Sequence, residues 1–289
     1  ITINLFSYCQ ELKSENIKDT VATVDLTDIL KKIFKKKADT GQVKKKPSMA
    51  ILPTFGYNPS VGFQIGGKVS AERTFGNPDN TNSSLLGFIA AYTSKGIINL
   101  QAIHNVFTKD NKMNWQGNWQ LTFTEITDYG IGPGKSYPDS ADKLKFSYFR
   151  FYEKAYVNIG PHLFAGGGLN INFRNKIKDF NESSTYNTAH QTYSVENGFD
   201  PLRYSANGII AAIQYNTREN PVQSYGGIYA DLDLQFNQKW LGSTKNSVQV
   251  VYDFRKYIGL SKRNPATVLA FWQRSSFKFG GDLPYLALP

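Results

Sequence analysis

The 289-residue chain has one cysteine, three histidines and no long apolar run, and each scarcity closes a class of function. The lone Cys9 leaves no disulfide framework and no cysteine-rich zinc site. His104, His162 and His190 show no metal-ligand spacing, so ordinary exposed or interfacial histidines are expected and no metal site. No Gly-x-Ser-x-Gly elbow supports a serine hydrolase, and no catalytic residue or cofactor site is expected. GIGPGKS, residues 130–136, imitates the end of a phosphate-binding loop. However, Tyr129 stands where its first glycine belongs and SYPDSAD opens no helix, so a flexible loop is expected. There is no run of eighteen or so apolar residues, which excludes a spanning helix. The net charge of +10 raises nucleic acid as a partner. The lysines, though, gather near the N-terminus without a recognition-helix or zinc-finger pattern, so no nucleic acid is expected.

What the chain does have is aromatic residues (14%), 24 glycines and a persistent alternation of apolar and polar side chains. Residues 206–240 show it best. Ile228, Ala230, Leu232, Leu234, Phe236 and Trp240 are apolar, whereas Tyr229, Asp231, Asp233, Gln235, Asn237 and Lys239 are mostly polar or charged. Successive strand residues point to opposite faces, so this period of two predicts a strand with one greasy and one wet side. Ile209, Ala211, Ile213 and Tyr215 repeat the pattern against Ala212, Gln214, Asn216 and Arg218. Between the two runs, Pro221, Gly226 and Gly227 supply the backbone angles of a reversal.

A one-sided strand could cover a soluble core or face lipid. The predicted strands run about ten to fourteen residues, longer than the usual five or six and suited to a tilted membrane crossing. Residues 113–124 are the cleanest case: Met113, Trp115, Trp119, Leu121 and Phe123 oppose Asn114, Gln116, Asn118, Gln120, Thr122 and Thr124. Further strands are predicted near residues 48–57, 61–72, 84–93, 97–108, 144–159, 163–174, 248–258 and 267–279, with a phase slip near Arg150 read as a bulge. KDNK, NIGP, RENPVQSYGG and SKRNP are short connections, whereas residues 126–143 and 176–205 are long. Short turns on one side and long loops on the other predict periplasmic and extracellular faces. The fold class is therefore all-β: an antiparallel up-and-down transmembrane β-barrel, with outer-membrane lipids as its surroundings. Roughly eleven strands are legible. A single-chain barrel closes with an even number, so an open fragment is expected.

The N-terminal part differs. Residues 1–9 read as the remnant of an export signal, with ordinary cleavage after Cys9 favoured over its lipidation. Residues 10–47 read as a periplasmic leader and linker. Within it Leu26, Ile29, Leu30, Ile33 and Phe34 predict a short amphipathic helix. Residues 48–289 read as the partial barrel.

On the wet faces Arg174, Arg218, Asp231, Asp233, Asp253 and Arg255 are either a charged network inside the barrel or individually solvated lumen groups. On the greasy faces Trp115, Trp119, Tyr215, Trp240 and Tyr252 are expected as interface anchors or lipid contacts.

YNTRENPVQSYGGIYADLDLQF, with Pro221 and Gly227 at its turn, and ILPTFGYNPSVGFQIGG, residues 51–67, resemble the Omp85 superfamily of BamA/TamA-like, bacterial surface antigen D15 barrels. The resemblance covers about residues 48–289. It implies some sixteen strands, a client-handling seam between first and last strand, and an arginine–glycine–aromatic lid loop after roughly the eleventh. Outer-membrane protein assembly or translocation is the implied function, with unfolded client proteins or accessory lipoproteins as partners. The family's POTRA modules find no counterpart in residues 11–47. The alternative is a pore-forming or structural outer-membrane protein without client handling.

Overall fold

The computed structural model describes residues 48–59, 61–78, 80–132, 141–180, 187–218, 224–261 and 267–289. The signal remnant with Cys9, the leader helix, Pro221 and residues 133–136 of the phosphate-loop look-alike lie outside the described residues.

The chain is all-β and antiparallel. Its strands are β1 (Ser48–Asn58), β2 (Gly62–Arg73), β3 (Ser84–Thr93), β4 (Ile98–Phe107), β5 (Met113–Asp128), β6 (Asp142–Gly160), β7 (Leu163–Asp179), β8 (Arg203–Ser205), β9 (Gly208–Asn216), β10 (Gly227–Asn237), β11 (Ser247–Gly259) and β12 (Val268–Gly281). One helix, α1 (Ala189–Glu196), lies between β7 and β8. The strands form one twelve-stranded sheet in which an eleven-strand meander runs β1 to β7, then β9 to β12, and β8 pairs only with β7. β8 and β9 are two pieces of one return strand. The break falls at Ala206 and Asn207, where the buried Asn207 side chain replaces the ladder: its Oδ1 accepts from Asn172 N at 2.8 Å and its Nδ2 donates to the Leu241 carbonyl at 3.1 Å. Among the described residues β1 pairs only with β2 and β12 only with β11, so the sheet is open. No helix among them is long and apolar enough to cross a membrane, which says nothing of strands.

The faces are inverted relative to a soluble sheet. The buried set includes Asn114, Thr122, Lys154, Asn170, Asn172, Gln214, Asn216, Asp233, Gln235 and Asn237, while Trp115, Trp119, Leu121, Phe123, Leu169, Ile209, Ile213, Leu232 and Leu234 are exposed. β9 alternates buried and exposed without a break, and β5 and β10 follow with odd and even residues outward respectively. In water this arrangement would leave each apolar ångström exposed at about 25 cal/mol/Å². Against lipid it is the favourable orientation.

Three expectations need correction. The phase slip near Arg150 is no bulge: the register shifts lie at Lys145/Ser147 and Asn158/Gly160. β6 keeps one phase throughout. Its Leu144 and Phe146 are apolar because they point inward into a small core at the mouth, not because the strand has turned over. The predicted loop at residues 176–205 holds the end of β7, α1 and β8. Finally Trp240 belongs to no strand; it sits in the 3-10 turn Lys239–Leu241 after β10 and is 71% exposed.

Candidate functional site

Even-numbered residues of β6 face inward, placing Tyr148, Arg150, Tyr152, Lys154 and Tyr156 in one column. The Lys154 side chain, 3% exposed, lies between Asp231 Oδ2 at 2.5 Å and Asp233 Oδ1 at 2.9 Å. Tyr156 Oη donates to Asp231 Oδ1 at 2.5 Å, and Tyr152 Oη donates to Asp233 Oδ2. Both tyrosine rings also flank the ammonium, their centroids 5.6 and 5.1 Å from Nζ. β6 and β10 are not neighbours, because β7 and β9 stand between them. The intervening floor holds two glycines and an alanine. Tyr156, Gly166, Ala212 and Asp233 are successive cross-strand partners, as are Lys154, Gly168, Ile210 and Gln235. A Cβ added at Gly166 would fall 2.0 Å from the Ala155 carbonyl oxygen, and one at Gly168 would fall 2.0 Å from that of Glu153. The two glycines thus let β7 approach β6 more closely than any side chain permits, and the wall curls tightly enough for β6 to reach β10.

A second group adjoins the first. Arg255 forks onto Asp253 with Nε at 2.9 Å and Nη2 at 2.6 Å, and Trp272 Nε1 donates to Asp253 Oδ1 at 2.9 Å. The buried Tyr229 ring lies between two guanidiniums, 4.2 Å from that of Arg218 and 5.4 Å from that of Arg255. Arg218 also donates to Asn216 Oδ1 at 3.2 Å. The carboxylates of Asp231 and Asp233 meet Lys154 and that of Asp253 meets Arg255, while Arg218 joins the group through the Tyr229 ring. Pairing of this kind is what makes buried charge tolerable. Arg174 stands apart from this network, stacked on the Tyr148 ring at 4.7 Å and bonded to Asn172 Oδ1 at 3.2 Å. The sequence reading therefore named five members of the network and missed Lys154, Tyr152, Tyr156 and Trp272. For the three on β6 the signal was present, a tyrosine or a cation at every even position from 148 to 156, whereas Trp272 on β12 carried none of it.

The wall of β4 and β5 carries uncharged pairs instead. Gln101 Nε2 donates to Asn118 Oδ1 at 3.0 Å, Asn114 Nδ2 to Asn105 Oδ1 at 2.8 Å, and Thr122 Oγ1 to Asn99 Oδ1 at 2.8 Å.

At the end bearing the long connections, a small core closes the mouth. Leu144, Ile177, Phe199, Tyr204 and Tyr285 are buried together, with Ile126, Phe146, Tyr193 and Leu286 packed against them. Tyr285 arrives on the segment after β12 and crosses to the opposite wall, where its Oη donates to Asp128 Oδ2 at 2.6 Å. Burial, and then the Asp128 carboxylate, hold the Tyr285 hydroxyl well above the ordinary tyrosine range. Tyr193 Oη on α1 donates to the Leu283 carbonyl at 2.9 Å. His190, expected at the surface, is fully buried beneath them, with Nδ1 3.1 Å from Asp179 Oδ2 and Nε2 3.3 Å from Tyr204 Oη. The loop's aromatics, illegible as a core in a polar segment, cover it.

On the outer face Trp115, Trp119 and Tyr215 are 40%, 44% and 40% exposed, and Tyr252 is half-buried against Phe277. A polar pair also lies on that face: His104 and Glu153 meet at 3.1 Å over Gly117, with Trp119 Nε1 donating to the same Glu153 oxygen at 3.0 Å. At the β9–β10 turn, Gly227 has φ +96° and a Cβ there would meet the Thr217 carbonyl oxygen at 2.6 Å, so glycine is required. A Cβ at Gly226 would meet nothing. No three His, Cys, Asp or Glu side chains among the described residues are grouped to hold a metal ion.

These features define an open antiparallel sheet with a lipid-compatible outer face and a charge-bridged interior. No family model matches the chain. No curated protein matches it either. Among solved structures it is similar to the crystal structure of BamA from Haemophilus ducreyi lacking POTRA domains 1–3, at 14% identity and a TM-score of 0.49, over 85% of this chain and 44% of that one. The chain thus spans less than half the length of that protein. At this level of likeness the functional reading rests on the chain's own residues.

Proposed function

We propose that this chain forms the wall of an outer-membrane β-barrel. The observation that carries the reading is the inversion of its faces, with Asn, Gln, Lys and Asp buried and Trp, Leu, Ile and Phe outward. Between the two finer readings, the interior favours Omp85-type protein assembly or translocation over a pore. Lys154 ties β6 to β10, and the mouth core fills the end of the lumen, so a wide aqueous path is not what these side chains build. The sequence resemblance at residues 215–236 and 51–67 supports the same choice. Client proteins or accessory lipoproteins would then be its partners, and lipid its surroundings.

Single cysteines introduced in a cysteine-free background and reacted with a lipid-soluble maleimide test the placement. Leu121 and Leu234 should label, while Gln120 and Asp233 should not; the reverse pattern would end the membrane reading. A large, steady conductance in planar bilayers would favour the pore instead.

A further inference from the structure

The outer wall is not uniformly ridged. Leu163, Tyr215, Ala230, Phe254 and Gln273 are successive cross-strand partners on its outward face, from β7 through β9, β10 and β11 to β12. Ala230 is therefore a single small side chain between two large rings. The adjacent outward row sets Leu232 between Ile213 and Tyr252. Together these residues line a groove of about 380 Å³ along β10. Most of its lining is apolar, with Gln273 at its β12 end and Asp231 and Asp253, whose side chains bond inside the wall, as its polar members. A mostly apolar furrow suits a hydrocarbon chain better than water. Two residues beyond Phe254 on β11, and on the same outward face, comes Lys256, exposed and paired across the sheet with Ile228 and Phe271. The Lys256 side chain makes no hydrogen bond or ion pair among the described residues. Three residues further on, β11 ends at Gly259, so this lysine lies near the edge of the wall that carries the short turns.

An apolar furrow that ends on a free ammonium near the rim has the chemistry of a phospholipid: hydrocarbon along the strand and phosphate at the boundary. We propose that the groove over Ala230 is a phospholipid site, in which one acyl chain lies between the Tyr215 and Phe254–Tyr252 rims and Lys256 binds the headgroup phosphate. The inference rests on the membrane reading above and adds a specific occupant for one stretch of the wall. With Lys256 at its end, this stretch selects for negative charge.

The purified protein in detergent micelles, titrated with phosphatidylglycerol or phosphatidylcholine and read by native mass spectrometry, tests it. Phosphatidylglycerol should be retained preferentially. Lys256→Ala should weaken that retention about fivefold and remove the preference, while Lys256→Arg keeps it. Ala230→Leu and Ala230→Phe, which fill the notch, should weaken retention of both lipids about tenfold, through the methylenes no longer covered. Lys256 is exposed, so its variants stay informative if a filled notch disturbs folding. Equal retention of the two lipids by the unaltered protein, or retention unchanged by the Lys256→Ala and Ala230→Leu variants, would overturn the proposal. If maleimide still marks Leu234 and spares Asp233 in bilayers, that failure leaves the membrane reading standing; if that pattern is lost as well, both fall.

Discussion

The two stretches of inner wall solve the same problem differently. On β4 and β5 Gln101, Asn105 and Asn99 find partners on the adjacent strand, amide to amide or hydroxyl to amide. On β6 the partners of Lys154 are charged and lie on β10, beyond β7 and β9, 77 and 79 positions along the chain. Neighbouring amides need only the register, which the ladder already sets, and each such bond is worth about 1 kcal/mol net. The charged bridge needs the sheet to curl. It also binds itself to that curl, because losing one partner leaves the others buried without an opposite charge. The amide wall is a lining, whereas the charged wall is a clamp.

The largest test of that contrast is Lys154→Met. It leaves Asp231 and Asp233 side by side without a cation and should cost about 3–5 kcal/mol, read as a lowered urea midpoint of the heat-modifiable form. Adding Asp231→Asn and Asp233→Asn to the same protein should recover most of the loss. If the single variant unfolds like the unaltered protein, the bridge is no clamp. Next comes Gly166→Val, which drives a side chain into the β6 backbone. About 2–3 kcal/mol of overpacking is expected, together with loss of the Lys154 contacts, visible as coupling that vanishes in a double-mutant cycle between Gly166 and Lys154. Asn118→Ala on the amide wall should cost only about 1 kcal/mol. A loss as large as that of Lys154→Met would erase the distinction between the two walls.

The smallest effect is expected at the mouth. The Tyr285 hydroxyl is held above its unfolded value by burial and then by Asp128. A group raised in the folded state contributes fully below its unfolded pKa, near 10, and that contribution is lost as pH rises towards the folded value. The segment after β12 should therefore stay seated at neutral pH and loosen only above about pH 10, as added protease sensitivity at that end. Tyr285→Phe should loosen it at neutral pH and flatten the alkaline dependence; an unchanged alkaline profile would remove Tyr285 from the role.

Much of this was readable along the chain, and the exceptions share a cause. The alternation in residues 113–124 and 228–237 places odd and even residues on the faces where the structure has them. The strand from residue 144 was harder, because Leu144 and Phe146 are apolar inward and Phe149 and Phe151 apolar outward, so one continuous phase imitates a slip. Lys154 was overlooked for the same reason. His190 gave no signal, because the residues that bury it come from β7, β8 and the segment after β12. Trp240 continued the even series by identity alone, but Gln238 accepts the turn and Gly242, at φ +81°, closes it.

The sequence by itself determined the period of two, the strand number of the meander and the identity of the wet and greasy faces. A strand has only two sides, and each residue declares its own. Tertiary structure alone decided which charges meet. Lys154 and Asp231 are joined by curvature, and curvature comes from how closely Gly166 and Gly168 let two backbones approach. That is a distance between chain segments, and no pattern along one segment contains it.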